Sequence, residues 1–387
     1  MDPVRNPYSP GAGTPPPALV GREAQISEFN IALNRLNQGR PAKSILMHGL
    51  RGVGKTVLLS EFVNIAEDLG WAVQTIEASD NMDFPSVIGD AARKAGLSVS
   101  ASRRMGDRFE RVMGAIKSFS VTWDVHGGGS LEVKPFMGLG DSGDLETDLS
   151  DIMVELGRLA QDRKKGILFA IDELQYLSSN DLSALIQAFH KVSQKQVPVM
   201  IVAAGLPTLL GILGEARSYA ERLFSFTAIG NLTVEDASDA ITKPALDEGV
   251  RWSADAVQLV VGQTEGYPYF LQEFGKQTWD YAPAEDVITQ DDAQQAIPLA
   301  MTELDNGFFQ VRVDRISDSE KKYIKAMASL GSGPYASGDV AKALKKKTSQ
   351  LGTVRDSLIK KGLCYAPEWG QIDFTVPMFN DFVQRAM

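Results

Sequence analysis

The chain is poor in cysteine and histidine, with one cysteine and three histidines among 387 residues. The single Cys364 excludes a disulfide framework and fits a reducing compartment, so the expected location is cytoplasmic. The histidines, His48, His126 and His190, are too scattered to give a metal-ligand spacing with that cysteine. The first 17 residues contain no apolar core of the kind that a secretory signal needs, and they are expected to form an extended Pro/Gly-rich leader.

Apolar runs of membrane-spanning length are also missing. The uncharged run over residues 197–214 comes close, but its prolines and glycines divide it into a short strand and the start of a helix, so no membrane partner is expected. The formal charge of −10 argues against a protein that coats nucleic acid with its whole surface. Residues 312–387 nevertheless hold 13 Lys or Arg against 8 Asp or Glu, while the rest of the chain holds 26 against 41. The C-terminal segment is therefore a basic module on an acidic body.

A phosphate-binding loop is present where an apolar run meets a stretch with helical spacing. Residues 49–56 match G-x-x-x-x-G-K-[ST], in the strand-to-helix context that this chemistry requires. Its glycines let backbone N–H groups turn inward around a polyphosphate, the ammonium group of Lys55 reaches the β and γ phosphates, and the Thr56 hydroxyl holds Mg²⁺. The predicted nucleotide contacts in this loop are Gly49, Gly52, Val53, Gly54, Lys55 and Thr56.

Two carboxylates follow a second apolar run far downstream, over residues 166–173. A buried central strand delivers acids in this way to its C-terminal edge, beside a phosphate loop. We assign Asp172 to the Mg²⁺ shell and Glu173 to the polarisation of the attacking water. Together with the loop, these acids predict an ATPase that uses ATP and Mg²⁺.

Five apolar runs alternate with helical patterns, which is typical of a parallel sheet with crossover helices. The expected organisation is a leader over 1–17, an ATPase core over 18–232, an all-α lid over 233–311 and a C-terminal module over 312–387. Candidate helix N-caps in the lid are Thr233, Ser253 and Thr289. Within the core, residues 99–145 interrupt the alternation and predict a helix followed by a β-hairpin turned at residues 127–129. This insertion is either a partner-binding element or a decoration of the core.

The C-terminal module has the pattern of three helices and two strands that flank a turn at residues 367–370. With Leu351, Val354 and Leu358 buried, the third helix exposes a polar face, and three lysines lie at its entrance. The candidate DNA contacts are Lys345, Lys346, Lys347, Gln350, Thr353 and Lys360, with Ser357 on the same exposed face.

Over roughly residues 18–387 these motifs resemble the AAA+ and STAND-type P-loop ATPases, and in particular origin-recognition-type initiators and the archaeal-ATPase clade. The resemblance implies an α/β fold, a P-loop NTPase sheet of AAA+ type with an all-α lid and a C-terminal winged helix. The segment Val20-Gly21-Arg22-Glu23 looks like the one that closes over adenine, so Val20 and Gly21 are implied base contacts. The Gly-x-Pro form at residues 266–268 resembles the STAND lid, in which the proline packs on adenine, and this makes Pro268 and Tyr267 nucleotide-contact candidates.

Two further segments are interpreted through the same resemblance. The fourth core strand, residues 199–204, ends in Ala and Gly where AAA+ enzymes usually present a polar residue that orients the lytic water, so we expect slow hydrolysis. The ending resembles that of transposition and secretion helper ATPases. Arg222 matches in position the arginine that acts on a neighbour's γ-phosphate; the alternative is a salt bridge at a helix end.

Three functions stay open on the sequence alone. The leading hypothesis is a nucleotide-controlled switch that positions a DNA-binding winged helix. Many winged helices bind proteins instead, so the second is a signalling scaffold that recognises a protein partner through its insertion and C-terminal module. The third is a helper ATPase that assembles into a nucleotide-dependent homo-oligomer on a transposition or secretion partner.

Overall fold

The chain is shared between two units that interleave in sequence, in a computed structural model that describes residues 1–11, 13–100, 106–123, 135–216, 220–283 and 286–387. The sheet unit comprises Glu23–His48 and Leu58–Ala228. The helical unit comprises Met1–Arg22, Gly49–Val57 and Ile229–Met387. The division into leader, core, lid and C-terminal module that the sequence indicates stays a prediction, because these two units do not test it.

A five-stranded parallel sheet forms the centre of the sheet unit, as the alternating apolar runs predict. Its strands lie in the order β2-β3-β4-β1-β5, and every neighbouring pair is parallel. The strands β3 and β4 are buried along almost their whole length, which explains why both read as continuous apolar runs. The strand bounds are Ser44–His48 (β1), Ala72–Glu77 (β2), Ile167–Asp172 (β3), Val199–Gly205 (β4) and Phe224–Ala228 (β5).

Eight helices accompany these strands in the described part of the chain up to residue 228. They are Glu23–Asn37 (α1), Lys55–Asp68 (α2), Phe84–Ser100 (α3), Asp107–Thr122 (α4), Leu145–Asp162 (α5), Ser179–Lys195 (α6), Leu209–Ala216 (α7) and Ala220–Leu223 (α8). Phe29 of α1 stacks on Phe62 of α2 with ring centroids 4.3 Å apart, and both rings are fully buried. This aromatic pair fixes the helix that precedes the first strand against the helix that follows it.

The β-hairpin predicted within residues 99–145 is wrong in its first strand. Residues 119–122 continue α4, because Val112, Ile116 and Phe119 bury one helical face together with Phe109. The first hairpin strand is predicted from an alternating pattern over residues 119–125, which overlooks the longer helical period that begins at Phe109. The predicted turn at 127–129 and residues 131–134 of the second predicted strand lie outside the described residues, and residues 135 and 136, where that strand was expected to end, form no strand.

The helical unit continues from residue 229 with a group of helices and two short paired strands. Their bounds are Val234–Asp247 (α9), Arg251–Trp252 (β6), Ala254–Thr264 (α10), Pro268–Tyr281 (α11), Val287–Ile288 (β7), Gln290–Glu303 (α12) and Gln310–Val313 (α13), with a π-helical turn over Leu304–Phe309. The three predicted N-caps are confirmed, since Thr233, Ser253 and Thr289 each accept a backbone N–H at the start of a helix.

The C-terminal residues form helices around a three-stranded antiparallel sheet in the order β8-β10-β9. The bounds are Asp318–Ala328 (α14), Tyr335–Ala336 (β8), Ser337–Ala343 (α15), Gly352–Lys360 (α16), Cys364–Tyr365 (β9), Gln371–Phe374 (β10) and Phe379–Ala386 (α17). The predicted strand pair around 367–370 is confirmed as β9 and β10. Ser357, expected to be exposed, is half-buried because its hydroxyl donates to Glu320 at 2.7 Å. In the ranges that the structure describes, no helix has the length and apolar character needed to cross a bilayer.

Candidate functional site

The phosphate loop follows β1 and opens α2, as the sequence predicts. Gly52 and Gly54 have φ values of 83° and 91°, in the left-handed region that favours glycine. A Cβ at Gly49 would lie 2.0 Å from the carbonyl oxygen of Ile229, so this position accepts no side chain. Helix α2 begins at Lys55, and its first N–H groups have no partner within the helix. The loop and the helix start therefore offer backbone donors and a positive dipole end to an anion.

The side chain of Lys55 is folded into this loop. It is 8% exposed, and its ammonium group donates to the carbonyl oxygens of Gly49 at 3.0 Å and Leu50 at 2.7 Å. Both acceptors belong to the phosphate loop. The buried ammonium group is therefore held by two carbonyl oxygens of this loop.

Arg22, which the sequence did not single out, joins the predicted adenine segment to the loop. Its buried guanidinium donates to the carbonyl oxygens of Val53 at 3.1 Å and Gly230 at 2.7 Å. The neighbouring Gly21 has φ +68°, and a Cβ there would lie 2.7 Å from the carboxylate of Asp236. Arg22 lies just before α1, and arginine is ordinarily exposed, so only the tertiary contacts show its burial.

The start of α11 also lies against the phosphate loop. The N–H of Tyr269 donates to the carbonyl oxygen of Gly52 at 3.2 Å, and a Cβ at Gly52 would lie 3.1 Å from the hydroxyl of Tyr267. Pro268 is the first residue of α11 and is half-buried. Tyr267 is fully buried, and burial raises its pKa. Tyr267 and Pro268 thus lie beside the loop, whereas Phe270 is fully buried in the core.

Arg51, at an unconstrained position of the loop motif, packs against the C-terminal module. Gly362 has φ +67°, and a Cβ there would lie 2.4 Å from Nη2 of Arg51. On the same side, Arg312 lies 3.7 Å from the ring centroid of Phe308, and Tyr269 stacks on that ring at 4.6 Å. Burial, with the nearby positive charge of Arg51, lowers the pKa of Arg312 to about 10. The phosphate loop therefore contacts both Tyr269 of α11 and Gly362 of the C-terminal module, which the motif does not reveal.

The two predicted acids lie in the sheet unit, at the carboxyl end of β3. Parallel strands bring their carboxyl ends to one edge, and in this sheet only β4 separates β3 from β1, which leads into the phosphate loop. The N–H of Glu173 donates to Oδ1 of Asp172 at 2.8 Å. Glu173 itself has φ 53°, which is uncommon for a residue with a side chain. Such strain is typical of functional positions.

Gln175 orients Glu173 and fills the space at the end of β4. Its Nε2 donates to Oε2 of Glu173, and its Oε1 accepts from the N–H of Leu206 at 3.0 Å. A Cβ at Gly205 would lie 2.7 Å from Oε1 of Gln175. A polar side chain therefore lies at the end of β4, but it comes from outside that strand, and both ends of its amide are engaged by protein groups. A glutamine two residues after an acid carries no signal that would have revealed this.

Val20 is half-buried, whereas Arg222 and the candidate DNA contacts are exposed. Arg222 lies on the short helix α8 in the sheet unit, and none of the ion pairs found among the described residues involves it. Lys345 to Lys347 lie between α15 and α16 and are exposed, as are Gln350, Thr353 and Lys360. Gln350 is partly engaged, since its side chain accepts from the N–H of Lys347 at 3.0 Å.

Comparison with known proteins supports the fold. A family model described as an AAA ATPase domain matches residues 18–202, and one described as a domain of unknown function matches residues 306–383. No curated protein matches the chain. Among solved structures, a Walker-type ATPase of Pyrococcus abyssi is 15% identical with a TM-score of 0.55, covering 95% of this chain and 96% of its own.

Two other solved structures superpose less well. The ORC1 protein of Aeropyrum pernix in complex with DNA is 14% identical, covers 95% of this chain and 93% of its own, and has a TM-score of 0.47. Cdc6p of Pyrobaculum aerophilum is 16% identical, covers 100% and 97%, and has a TM-score of 0.48. We infer nothing about this chain from either. The matched family model, the parallel sheet and the loop geometry together give residues 18–202 an AAA-type P-loop ATPase domain on a P-loop NTPase fold.

Proposed function

We propose that the chain binds ATP with Mg²⁺ at the phosphate loop. The positive-φ glycines and the loop-held ammonium group of Lys55 suit a polyphosphate. The hydroxyl of Thr56 and the carboxylate of Asp172 are hard oxygen donors of the kind that Mg²⁺ prefers. Held by these groups, Mg²⁺ would offset the negative charge that develops on the phosphates.

The two acids at the carboxyl end of β3, Asp172 and Glu173, are proposed to serve ATP hydrolysis as well. Glu173 is proposed to polarise the attacking water, with Gln175 fixing the direction of its carboxylate through the hydrogen bond described above. Because β4 ends in Gly205 and contributes no polar side chain of its own, we expect turnover to be slow.

The adenine is proposed to contact Val20, Gly21 and Pro268. Arg22 holds the first two residues at the phosphate loop, and the N–H of Tyr269 holds the start of α11 at the same loop. The two segments that the resemblance assigns to the base are therefore both fixed to the segment assigned to the phosphates. Tyr267, the residue before Pro268, is proposed to support the pocket by packing on Gly52.

The proposed role of nucleotide binding is to control the C-terminal module. We propose that this module is a winged helix, in which α16 enters DNA and the hairpin β9–β10 forms the wing. The single observation that carries the switch is the contact of Arg51 with Gly362, because it places a residue of the phosphate loop directly on the C-terminal module. A change in the loop on nucleotide binding would then change that contact.

Calorimetry with ATP and Mg²⁺ tests the nucleotide site. We expect heat of binding with the unmodified chain, none with Lys55→Ala, and unchanged heat with Lys43→Ala, which alters an exposed lysine just before β1. Glu173→Gln should retain binding and stop turnover. Absence of binding by well-folded unmodified protein, or normal turnover by Glu173→Gln, would refute the assignment.

Retention on duplex DNA at increasing salt tests the switch. Contacts to phosphates make the logarithm of affinity fall with the logarithm of salt concentration by about 0.9 per contact. Replacing the three lysines 345–347 with alanine should weaken binding and flatten this dependence. The same charge change at exposed Lys43, Lys164 and Lys195 should not. Retention on DNA that does not change with salt concentration, or no retention either with or without ATP, would favour the scaffold that binds protein partners.

The exposure of Arg222 favours a second candidate, the ring-forming helper ATPase. A guanidinium that is exposed on its own chain is available to a neighbour's nucleotide. Sedimentation with a nonhydrolysable ATP analogue should then show assembly that Arg222→Ala prevents, while Arg163→Ala, on the loop before β3, leaves it unchanged. A monomer under all these conditions would exclude this candidate.

A further inference from the structure

The N-terminal leader is held along helix α11. The indole N–H of Trp279 donates to the carbonyl oxygen of Asp2 at 3.0 Å. The side-chain amide of Asn6 donates to the carbonyl oxygen of Lys276 at 3.0 Å. Closer to the start of the helix, Gln272 accepts the N–H of Ser9 at 3.2 Å. These contacts step along one face of α11, at intervals of three to four residues, towards the end of the helix that meets the phosphate loop.

Tyr8 anchors this leader. Its side chain is 3% exposed, and its hydroxyl donates to the carbonyl oxygen of Ile241 at 2.5 Å and accepts from the indole of Trp252 at 2.9 Å. Its ring lies directly on Gly275 of α11, where a Cβ would be 2.7 Å from Tyr8 Cδ1. Burial raises the pKa of Tyr8, and the hydroxyl stays protonated as a donor. A buried aromatic residue with both hydrogen-bonding roles satisfied is a strong attachment.

Beyond Tyr8 the leader meets the phosphate loop at Gly13. At Gly11 a Cβ would lie 2.4 Å from the Thr14 hydroxyl, so the threonine side chain folds back over the glycine. Gly13 has φ +72°, and a Cβ there would lie 3.1 Å from Cγ2 of Thr56. Ser9, whose N–H contacts α11, and Gly13 are four positions apart, so the chain between them can span at most about 14 Å.

We propose that the leader is a strap that ties α11 to the metal end of the nucleotide site, with Gly13 as a positioning residue for Thr56. The inference rests on the proposed role of Thr56 in holding Mg²⁺. A threonine side chain has few χ1 rotamers, so a surface packed against its methyl group decides where its hydroxyl points. Gly13 provides that surface, and Tyr8 fixes Gly13 in relation to α11.

Affinity for ATP measured with Mg²⁺ and with EDTA tests the strap. Gly13→Ala should weaken binding of Mg·ATP by about tenfold and leave binding of metal-free ATP within twofold of the unmodified chain. The matched control is Gly39→Ala, since Gly39 has the same left-handed backbone, φ +70°, with nothing within 4 Å of an added Cβ. Thermal unfolding of both variants shows whether a loss of affinity accompanies loss of the folded state or arises in a chain that stays folded.

Two further variants act at the anchor. Tyr8→Ala should weaken the binding of Mg·ATP as Gly13→Ala does, again without weakening the binding of metal-free ATP. Tyr8→Phe keeps the ring and should lose less affinity for Mg·ATP than Tyr8→Ala. Hydrogen exchange in the absence of nucleotide should show the N–H of Ser9 protected in the unmodified chain and exchanging quickly in Tyr8→Ala.

The outcomes distinguish the strap from the nucleotide site itself. If Gly13→Ala and Tyr8→Ala bound Mg·ATP as tightly as the unmodified chain, the strap would be overturned and the proposed function would stay intact. If Gly13→Ala lost the same affinity for ATP with Mg²⁺ and with EDTA, the strap would also be overturned, because Gly13 would then act on the whole nucleotide pocket. No nucleotide binding by the unmodified chain would instead refute the proposed function, while rapid exchange of the Ser9 N–H would refute the anchoring alone.

Discussion

Replacing Gln175 with alanine should slow ATP turnover without weakening ATP binding. The side chain connects Glu173 to the N–H of Leu206, which is 4% exposed. Its removal leaves that buried N–H without this acceptor, which destabilises the fold by about 1–3 kcal/mol. It also frees the carboxylate that is proposed to act on water. Loss of about 1.4 kcal/mol of transition-state stabilisation corresponds to a roughly tenfold fall in kcat.

This loss should be smaller than that of Glu173→Gln, since removal of a general base typically reduces rates by about 10²–10⁴. The decisive measurement is a double-mutant cycle on kcat. In a Glu173→Gln background, Gln175→Ala should have almost no further effect, because the residue that it positions has already lost its function. Additive losses in the double variant would refute the reasoning, as would kcat at the unmodified level in Gln175→Ala.

Gly205→Ala provides a matched perturbation that changes neither polar residue. The added Cβ would lie 2.7 Å from Oε1 of Gln175 and would displace the amide. We therefore expect the same fall in kcat with an unchanged dissociation constant for ATP. Single-turnover assays of Gly205→Ala check this, and a change confined to ATP affinity would contradict the proposed role of Gln175.

Three further predictions concern the C-terminal module and assembly. Gly362→Ala forces a Cβ to within 2.4 Å of Arg51 at a left-handed position, so it should lower the thermal stability by about 1–3 kcal/mol and reduce the dependence of DNA retention on ATP. Adding Arg51→Ala should restore part of the stability; a full loss in both variants would contradict a clash with the guanidinium. Burial opposes ionisation of Glu320, but hydrogen bonds from Lys361 and from serine hydroxyls outweigh it and lower the pKa to about 2, against 4.5 for an ordinary glutamate. The stabilising contribution, on the order of 3 kcal/mol, should be complete above pH 5 and be lost as the pH falls towards 2, and Glu320→Gln should remove this acid dependence in unfolding curves. Arg222→Ala should leave ATP affinity unchanged and reduce only nucleotide-dependent assembly and its associated turnover, as measured by sedimentation and ATPase assays over a range of protein concentrations.

Local patterns were sufficient for the parts of the site that depend on neighbouring residues in sequence. The phosphate loop, the strands and the acids at the end of β3 follow from burial and spacing within about ten residues, and these strands are confirmed. The strand predicted over residues 119–125 was wrong because a short alternating pattern was weighed without the longer helix, which continues to Thr122.

The sequence by itself determined that a phosphate loop and an acid pair occur on a parallel sheet, because hydrophobic period and glycine placement specify these elements locally. Only the tertiary structure decided what surrounds them. Tyr8 meets Ile241 across 233 positions, and Gln175 meets Leu206 across 31. Contacts at such separations depend on which helix faces and strand ends the fold brings together, and no local pattern records that.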